Sequence, residues 1–251
     1  MKRYLFMALA FALSFASCDG EKKLTQYTEI YQEAPSMIYI APINDLSLRR
    51  AVRSTEDSVF NASLNNAARY MYLTAGKQLT FWGYNVPGPL ASAQFAATET
   101  RTGRQLRNDN INDLHTDFGI DAVLFIDILG WKQTSCSWSV EVEYMLRSTH
   151  SNSELLHAHV TATKMLHTDN KGVPMPLKED LELQESADLD VETAQRCRLV
   201  EILNNYVLKD LPAGHRARQR NGERYDKPHP EYFSLRIHRD GSVEMLKSEE
   251  L

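Results

Sequence analysis

The stretch Asp121-Ala122-Val123-Leu124-Phe125-Ile126-Asp127-Ile128-Leu129 decides the fold class of this chain. Its interior is apolar and free of glycine and proline, which is typical of a central strand that is covered on both faces. A helix predicted over residues 104–118 precedes it and is stopped by Gly119. A second apolar run, residues 36–43, follows Pro35 and predicts another buried strand. Helices that lead directly into buried strands indicate an α/β fold.

Alternating helices and strands are predicted between these two runs. A helix begins at Asp57 or Ser58 and extends to about Lys77, because apolar residues recur there at steps of three and four. A short strand is predicted over 82–86 and another helix over 90–98. The order strand, helix, strand, helix, strand indicates parallel α/β units. The apolar stripe of the first helix consists of Phe60, Leu64, Ala67, Met71 and Ala75.

After residue 129 the pattern changes to long strands with alternating apolar and polar side chains. Residues 137–147 and 154–166 both alternate in this way, which predicts strands with one face on the core and one in water. Residues 150–153 form the hairpin loop between them. Residues 168–188 are polar and are predicted to be a long, mobile connection.

The C-terminal part predicts a helix followed by a small hairpin. The helix covers about 190–211 and buries a single apolar stripe. Residues 231–247 then form the hairpin, whose loop Arg239-Asp240-Gly241 places Gly241 in the left-handed region. This register pairs Ile237 with Val243 and Leu235 with Met245. A lone hairpin is marginal in water, so we expect it to dock on the main domain or on a partner.

Composition excludes several classes of protein. The chain has 251 residues, of which 43% are hydrophobic and 24% charged, as in soluble globular proteins. A mean hydropathy of -0.42 excludes a protein with many membrane spans. The net charge of -5 argues against nucleic acid as a partner, because nucleic-acid binders concentrate positive charge.

The amino terminus predicts export and a lipid anchor. Met1-Lys2-Arg3 is positively charged, and the apolar run over 4–16 is shorter than the roughly 20 residues that span a bilayer, so it indicates a signal peptide. Phe15-Ala16-Ser17-Cys18 resembles the lipobox of bacterial lipoproteins, in which the cysteine is lipidated and becomes the first residue. Phe15 departs from the Leu, Val or Ile that this pattern prefers. Cys18 is the predicted lipidation site.

The chain therefore divides into four predicted segments. They are a lipoprotein signal peptide over 1–17, the lipidated cysteine and a tether over 18–34, one α/β domain over 35–213, and a basic linker with the hairpin over 214–251. The fold class is α/β with a mixed, three-layer-like sheet, in which parallel βα units precede a long antiparallel hairpin and a small C-terminal β-hairpin. We expect the protein in the bacterial cell envelope, on the periplasmic or the surface face of the outer membrane.

Several of these segments resemble one known family. The run 36–43, the segment 83–90, the run Phe118-Gly119-Ile120-Asp121 with the strand after it, and the hairpin pair over 137–166 resemble the bacterial lipoproteins called domain of unknown function 799. The resemblance covers about 35–213 and implies a fold similar to the amino-terminal domain of TolB. Glu154-Leu155-Leu156-His157 departs from the Gly-Lys-Leu-Trp type motif of the family, and the hairpin beyond Glu231 has no counterpart in it.

This resemblance implies a non-catalytic role in an outer-membrane assembly or secretion complex. The partners would be the membrane, reached through the lipid, and other envelope lipoproteins or a secretion channel, with a homo-oligomer as a further option. No catalytic residues and no cofactor follow from the family. Two alternatives stay open: a hydrolase of envelope polymers, and a lipoprotein that binds a small ligand or glycan through Trp82, Tyr84, Trp131 and Trp138.

Cysteines and histidines supply the remaining candidate sites. Cys136 and Cys197 could form a disulfide in an oxidising envelope, or stay as two buried thiols. His157 and His159 lie on one face of a predicted strand, because side chains repeat every second residue, and Glu141 and Glu143 could lie opposite them. These four side chains could bind a metal on the surface or could simply be solvated. Asp121 and Asp127 bracket the central strand and could resemble paired acid catalysts, although Asp121 also fits the end of the preceding loop.

Overall fold

The structure is a computed structural model that describes residues 29–47, 58–88, 103–134, 137–168, 174–209, 211–212, 214 and 232–247, with positions 91, 95, 98–99 and 101. Its longer described helices are α1 (Ser58–Phe81), α2 (Gly103–Asn108), α3 (Asn112–Phe118), α4 (Lys178–Ala187) and α5 (Val191–Leu208), and residues 29–33 are also helical. Its strands are β1 (Ile38–Ile40), β2 (Asn44–Asp45), β3 (Ala122–Gln133), β4 (Ser137–Ser148), β5 (Glu154–Met165), β6 (His167–Thr168), β7 (Pro174–Met175), β8 (Tyr232–Ile237) and β9 (Val243–Lys247).

A mixed sheet of seven strands forms the centre of the fold. The strand order is β1-β3-β4-β5-β8-β9, and β2 pairs with β3 beyond the end of β1. β3 is parallel to β1 and β2 and antiparallel to β4. The expected central strand is therefore confirmed, and it forms the boundary between the parallel and the antiparallel part of the sheet.

The amino-terminal parallel part is smaller than the sequence predicts. β1 has three residues, and a single bridge between Met37 and Asn85 replaces the strand expected over 82–86. α1 extends to Phe81, four residues beyond the expected end at Lys77. Few residues then remain for a strand before Pro87, which has no N–H to donate to a ladder.

The long antiparallel hairpin is confirmed. β4 and β5 pair in register from Ser137 opposite Met165 to Leu146 opposite Leu156. Their apolar side chains face one side and are buried, as alternation predicts. These buried side chains are Trp138, Val140, Val142, Tyr144 and Leu146 on β4, and Leu156, Ala158, Val160 and Ala162 on β5.

Helices cover the sheet unequally on its two faces. The buried stripes of α1 and α5 pack against one face. On the opposite face, Leu106 of α2 and Leu114 of α3 pack on Tyr39, Val123 and Phe125 of the sheet. The described elements thus form three layers around β1 and β3, whereas the outward face of β4 and β5 carries polar side chains. The predicted stripe of the last helix is confirmed, because Ala194, Cys197, Val200, Leu203, Val207 and Leu211 are all buried.

The single helix predicted over 104–118 is wrong, because the chain breaks between α2 and α3. The break is held by a distant side chain: Arg147 Nη1 donates to the carbonyls of Leu106 at 2.9 Å and Asp109 at 2.6 Å. Asn152 Oδ1 also accepts the Ile111 N–H at 2.8 Å. Gly119 ends α3 with φ 66, as expected for a left-handed helix terminus.

The mobile connection predicted over 168–188 is also wrong, because α4 lies within it. Asp180, in the first turn of α4, is 1% exposed and pairs with the equally buried Lys164 of β5. Its Oδ2 also accepts the Leu177 N–H at 3.0 Å, which satisfies a donor at the helix start. This charge pair, which no apolar periodicity reveals, anchors a polar helix that also packs against α5.

The C-terminal hairpin joins the main sheet. β8 pairs in parallel with β5, from His159 opposite Tyr232 to Lys164 opposite Ile237. The predicted register between β8 and β9 is confirmed, and Gly241 has φ 83. Glycine adopts this left-handed angle without the steric cost that a side chain adds.

The described helices include none that combines the length and the apolar character needed to cross a bilayer. The predicted signal peptide, Cys18, the first part of the tether, Cys136 and the linker over 215–231 lie outside the described residues.

Candidate functional site

The predicted histidine pair lies on the polar face of β4 and β5, where each imidazole contacts a glutamate. His157 Nε2 lies 3.0 Å from Glu143 Oε1, and His159 Nε2 lies 2.7 Å from Glu141 Oε1. Each histidine is thus paired with its own carboxylate. Within the described residues, this group does not bring three ligand atoms within 4.8 Å of one another, whereas another cluster does. The two interpretations of His157 and His159, as a solvated polar face or as a metal site, both stay as the sequence left them.

Arg107 of α2 extends this polar network across the sheet. Its guanidinium lies 3.0 Å from Glu143 on β4 and 3.0 Å from Asp127 on β3. Burial alone would raise the pKa of Glu143, but hydrogen bonds with His157 and Arg107 outweigh it and lower that pKa. The network positions α2 on the sheet through opposite charges.

A cavity of about 790 Å³ lies beside this network, at the carboxyl ends of β1 and β2. Its described lining combines the aromatic rings of Tyr39, Phe95 and Phe125 with charged side chains. Burial raises the pKa of Tyr39 to about 12, so its hydroxyl stays neutral at physiological pH. This volume and mixed lining suit a small organic ligand.

The charged groups of the cavity are already engaged with one another. Arg101 lies 2.6 Å from Glu99 and 2.6 Å from Asp113. Arg107 lies between Asp127 and Glu143, as described above. Ligand binding through these groups would therefore have to replace existing ion pairs.

The aromatic residues named as glycan-binding candidates contact other residues of the protein, and for Trp82 this is an edge contact with the ring of Phe81 at 4.9 Å. Arg196, a buried residue of α5, lies 4.4 Å from the ring centroid of Trp138 and 5.2 Å from that of Trp131. Tyr84 is buried and donates its hydroxyl to the Pro212 carbonyl. These contacts stabilise the helix layer on the sheet.

Cys197 is a buried residue of α5 and has no disulfide partner among the residues that the structure describes. Burial raises its pKa to about 12, and nearby Asp190 adds to that effect, so the reactive thiolate is strongly disfavoured. Because Cys136 lies outside the described residues, the disulfide between them stays a prediction.

Asp121 and Asp127 do not form a pair of acid catalysts. Asp127 lies in the middle of β3 and contacts Arg107, whereas Asp121 comes just before the first residue of the strand. Asp121 Oδ2 accepts the N–H groups of Ser36 and Met37, both at 2.9 Å. One carboxylate oxygen thus fixes the segment that leads into β1, as the loop-ending interpretation of Asp121 suggests.

The other oxygen of Asp121 faces two histidines. His115 Nδ1 of α3 lies 3.1 Å from Oδ1, and His150 Nε2 of the β4–β5 turn lies 3.5 Å from the same atom. The centroids of the two imidazole rings are 3.9 Å apart. This is the one group of three potential metal ligands found among the residues that the structure describes.

Sequence reasoning missed His115 and His150 because their spacing from Asp121 matches no motif. A topological signal exists, however. A helix that ends at Gly119 leads into the start of β3, and a hairpin loop after an antiparallel neighbour returns to the same edge of the sheet. His115 on that helix and His150 in that loop therefore lie at the same end of the sheet as Asp121.

No protein-family model matches the chain, and no curated protein sequence matches it. It is similar in structure to lipoprotein GNA1162 from Neisseria meningitidis, at a TM-score of 0.40 and 20% identity, over 55% of this chain and 89% of that one. Hypothetical protein CT253 from Chlamydia trachomatis gives a TM-score of 0.38 at 13% identity, over 69% and 96% of the two chains. The PelC dodecamer from Paraburkholderia phytofirmans gives 0.33 at 9% identity, over 69% and 86%. At these values, the similarities identify no family for this chain.

Proposed function

We propose that this chain is a lipid-anchored cell-envelope protein that acts, without catalysis, as a binding component of an outer-membrane assembly or secretion complex. The anchor is the lipidated Cys18 that the amino-terminal sequence predicts. Each buried CH₂ of a lipid contributes about 0.8 kcal/mol, so two or three acyl chains would hold the protein at the membrane permanently. The globular domain is then free to bind a protein partner there.

The observation that carries the binding role is the open edge of the sheet at β9. In the described part of the chain, β9 is the last strand in the order and pairs with β8. An unpaired strand edge offers a row of backbone donors and acceptors to which another chain can add a strand. Among the described strands, β9 has a paired neighbour on one side only.

The hydrogen-bond pattern shows which groups of β9 face outward. The His238 N–H donates to the Ser242 carbonyl at 2.8 Å, so these two residues form a hydrogen-bonded pair. Hydrogen-bonded and non-hydrogen-bonded pairs alternate along an antiparallel ladder. The backbone N–H and carbonyl groups of Glu244 and Leu246 therefore point toward β8. The N–H and carbonyl groups of Val243 and Met245 point away from it and are the groups that a partner strand would bind.

A proline at position 245 tests this edge. Met245→Pro removes one outward N–H and obstructs an added strand, and proline is tolerated on sheet edges. We expect recovery of the partner from detergent-solubilised envelopes to fall about tenfold or more, because loss of about 1.4 kcal/mol is tenfold in affinity. The measurement is quantitative mass spectrometry of proteins that co-purify with the chain.

Met245→Ala is the matched control, because it removes the same partly buried side chain and keeps the backbone N–H. Partner recovery with this variant should stay within about twofold of the wild type, since the backbone N–H of residue 245 can still donate to a partner strand. A wild-type preparation without any stoichiometric partner contradicts the binding role. If Met245→Pro and Met245→Ala reduce partner recovery equally, the partner contacts the side chain of Met245 and not the backbone of β9.

The anchor has a separate test. Cells grown with an alkyne-bearing fatty acid should label the wild-type chain, and Cys18→Ser should abolish that label completely, because a hydroxyl does not replace the thiol as acyl acceptor in this pattern. Cys197→Ala is the control and should keep the full label, since this thiol is buried. Labelling that persists in Cys18→Ser, or that is absent from the wild type, contradicts the anchor.

A further inference from the structure

We propose that His115, Asp121 and His150 form a binding site for one divalent transition-metal ion of the zinc class. The site lies at the end of the sheet where β1 and β3 begin. It is separate from the edge strand β9 that the proposed function uses. A test of one proposal therefore does not decide the other.

The distances already approach those of a tetrahedral centre. Zinc holds nitrogen and oxygen ligands at about 2.0–2.2 Å, which separates two tetrahedral ligand atoms by roughly 3.3 Å. The two imidazole nitrogens lie 3.1 and 3.5 Å from Asp121 Oδ1. All three ligand atoms lie within 4.8 Å of one another. Small side-chain rotations would therefore bring them around one ion.

The donor set determines the class of metal. Two imidazole nitrogens with one carboxylate oxygen suit zinc and its neighbours among the first-row transition metals. Magnesium and calcium prefer six or more oxygen ligands, which this group does not provide. A three-ligand set also leaves a fourth position for water or for a ligand from outside.

The carboxylate is held in place by its surroundings, as in established metal sites. Oδ2 of Asp121 is occupied by the two N–H groups of Ser36 and Met37, so Oδ1 is the atom that faces the imidazoles. The carbonyl of Asp121 accepts the Thr149 N–H at 3.0 Å. The turn that carries His150 is fixed in the same way, because the His150 N–H donates to Ser148 Oγ at 3.0 Å.

A buried polar atom at the centre of the group supplies an independent argument. His115 Nδ1 is inaccessible to solvent and, although it lies 3.1 Å from Asp121 Oδ1, it makes no well-aligned hydrogen bond among the described residues. Buried polar atoms without partners are rare, because they lose their hydration without compensation. This nitrogen lies beside Asp121 Oδ1, and an ion between the two atoms would satisfy both.

An ion can also reach the site. The side chains of His115 and His150 are 40% and 46% exposed, whereas that of Asp121 is 18% exposed. The carboxylate is thus shielded from solvent, whereas the two imidazoles are in part exposed. A metal ion can therefore enter from the side of the imidazoles.

Zinc titration of the purified full chain in detergent, without a histidine tag, tests the site. We expect one Zn²⁺ per chain, and Co²⁺ should give the visible absorption bands of a tetrahedral centre. Loss of a residue that only orients a metal ligand costs roughly 10- to 100-fold in metal affinity. His115→Ala and His150→Ala each remove a ligand itself, so each should weaken Zn²⁺ binding by more than that. The thermal midpoint should rise with ZnCl₂ in the wild type and not in these variants.

His159→Ala is the control, because it removes a histidine that pairs with a glutamate elsewhere on the sheet. It should bind Zn²⁺ as the wild type does. The site is disproved if the wild type binds no Zn²⁺, if His115→Ala and His150→Ala bind as tightly as the wild type, or if His159→Ala loses the ion instead. Whether or not the chain binds Zn²⁺ at this site, the expected partner recovery through β9 stays the same.

Discussion

Replacing Asp180 with alanine should lower the free energy of unfolding by about 3–5 kcal/mol, because it leaves a charged amine buried without its counter-ion. Lys164 and Asp180 are 2% and 1% exposed, and Lys164 Nζ lies 2.5 Å from Asp180 Oδ2. The same change removes the acceptor for the Leu177 N–H at the start of α4. Urea unfolding followed by circular dichroism measures the loss, and a cost below about 1 kcal/mol, as for a surface pair, would contradict it.

The pH dependence of stability provides a second measurement on this pair. Burial lowers the pKa of Lys164, and the attraction of Asp180 offsets that effect only in part. Between the lowered folded pKa and the ordinary pKa, the unfolded chain binds more protons than the folded one, so the contribution of Lys164 to stability rises with pH. In Asp180→Ala this rise should begin at lower pH than in the wild type, because the attraction is gone.

The double variant Lys164→Met with Asp180→Leu is the control for the charges themselves. Apolar residues of similar volume often replace a buried ion pair at no cost, or stabilise the protein by about 1–4 kcal/mol. We therefore expect the double variant to be at least as stable as the wild type. A double variant as unstable as Asp180→Ala would show that the loss came from packing or from the helix start.

Replacing Asn204 with alanine should cost about 2–4 kcal/mol, since orphaned buried polar groups cost about 1–3 kcal/mol and the missing volume adds to this. Asn204 of α5 is fully buried and accepts the hydroxyl of Tyr144 at 2.9 Å. Its Nδ2 donates to the Met71 carbonyl at 2.8 Å and to Thr74 Oγ1 at 2.7 Å. One amide thus joins α1, α5 and β4.

Tyr144→Phe separates the two contributions to this effect. Complete burial raises the pKa of Tyr144 well above its ordinary value, so the hydroxyl remains a donor at every physiological pH. Its removal leaves the aromatic ring in place and should cost about 1–2 kcal/mol, as a single buried hydrogen bond does. Equal losses for Tyr144→Phe and Asn204→Ala, measured by thermal unfolding, would contradict a shared network with three bonds at Asn204.

The elements that the sequence predicts well are those with a strong local period. β3 begins as one apolar run, β4 and β5 alternate over most of their length, and the stripe of α5 is continuous. The loop Arg239-Asp240-Gly241 determines the register of the last hairpin. In each case the decisive interactions lie within a few residues of one another, so a single pass along the chain contains them.

The elements that the sequence mispredicts depend on partners far away in the chain. α4 is polar, and its buried charge pairs with Lys164, which is 16 residues from Asp180. The break between α2 and α3 rests on Arg147, which lies 38 residues beyond Asp109. The cluster at Asp121 joins a helix, a strand and a turn, so it becomes visible only when the strand order is known.

Photo-cross-linking in intact cells tests most directly the proposal that the chain binds another envelope protein through the edge of β9. A photoreactive residue in place of Glu244, whose side chain is 47% exposed, would report contacts beside the outward backbone groups. We expect one discrete adduct with another envelope protein, unchanged by Met245→Ala and lost with Met245→Pro. An absence of any adduct, or an adduct that Met245→Pro leaves intact, would contradict the proposal.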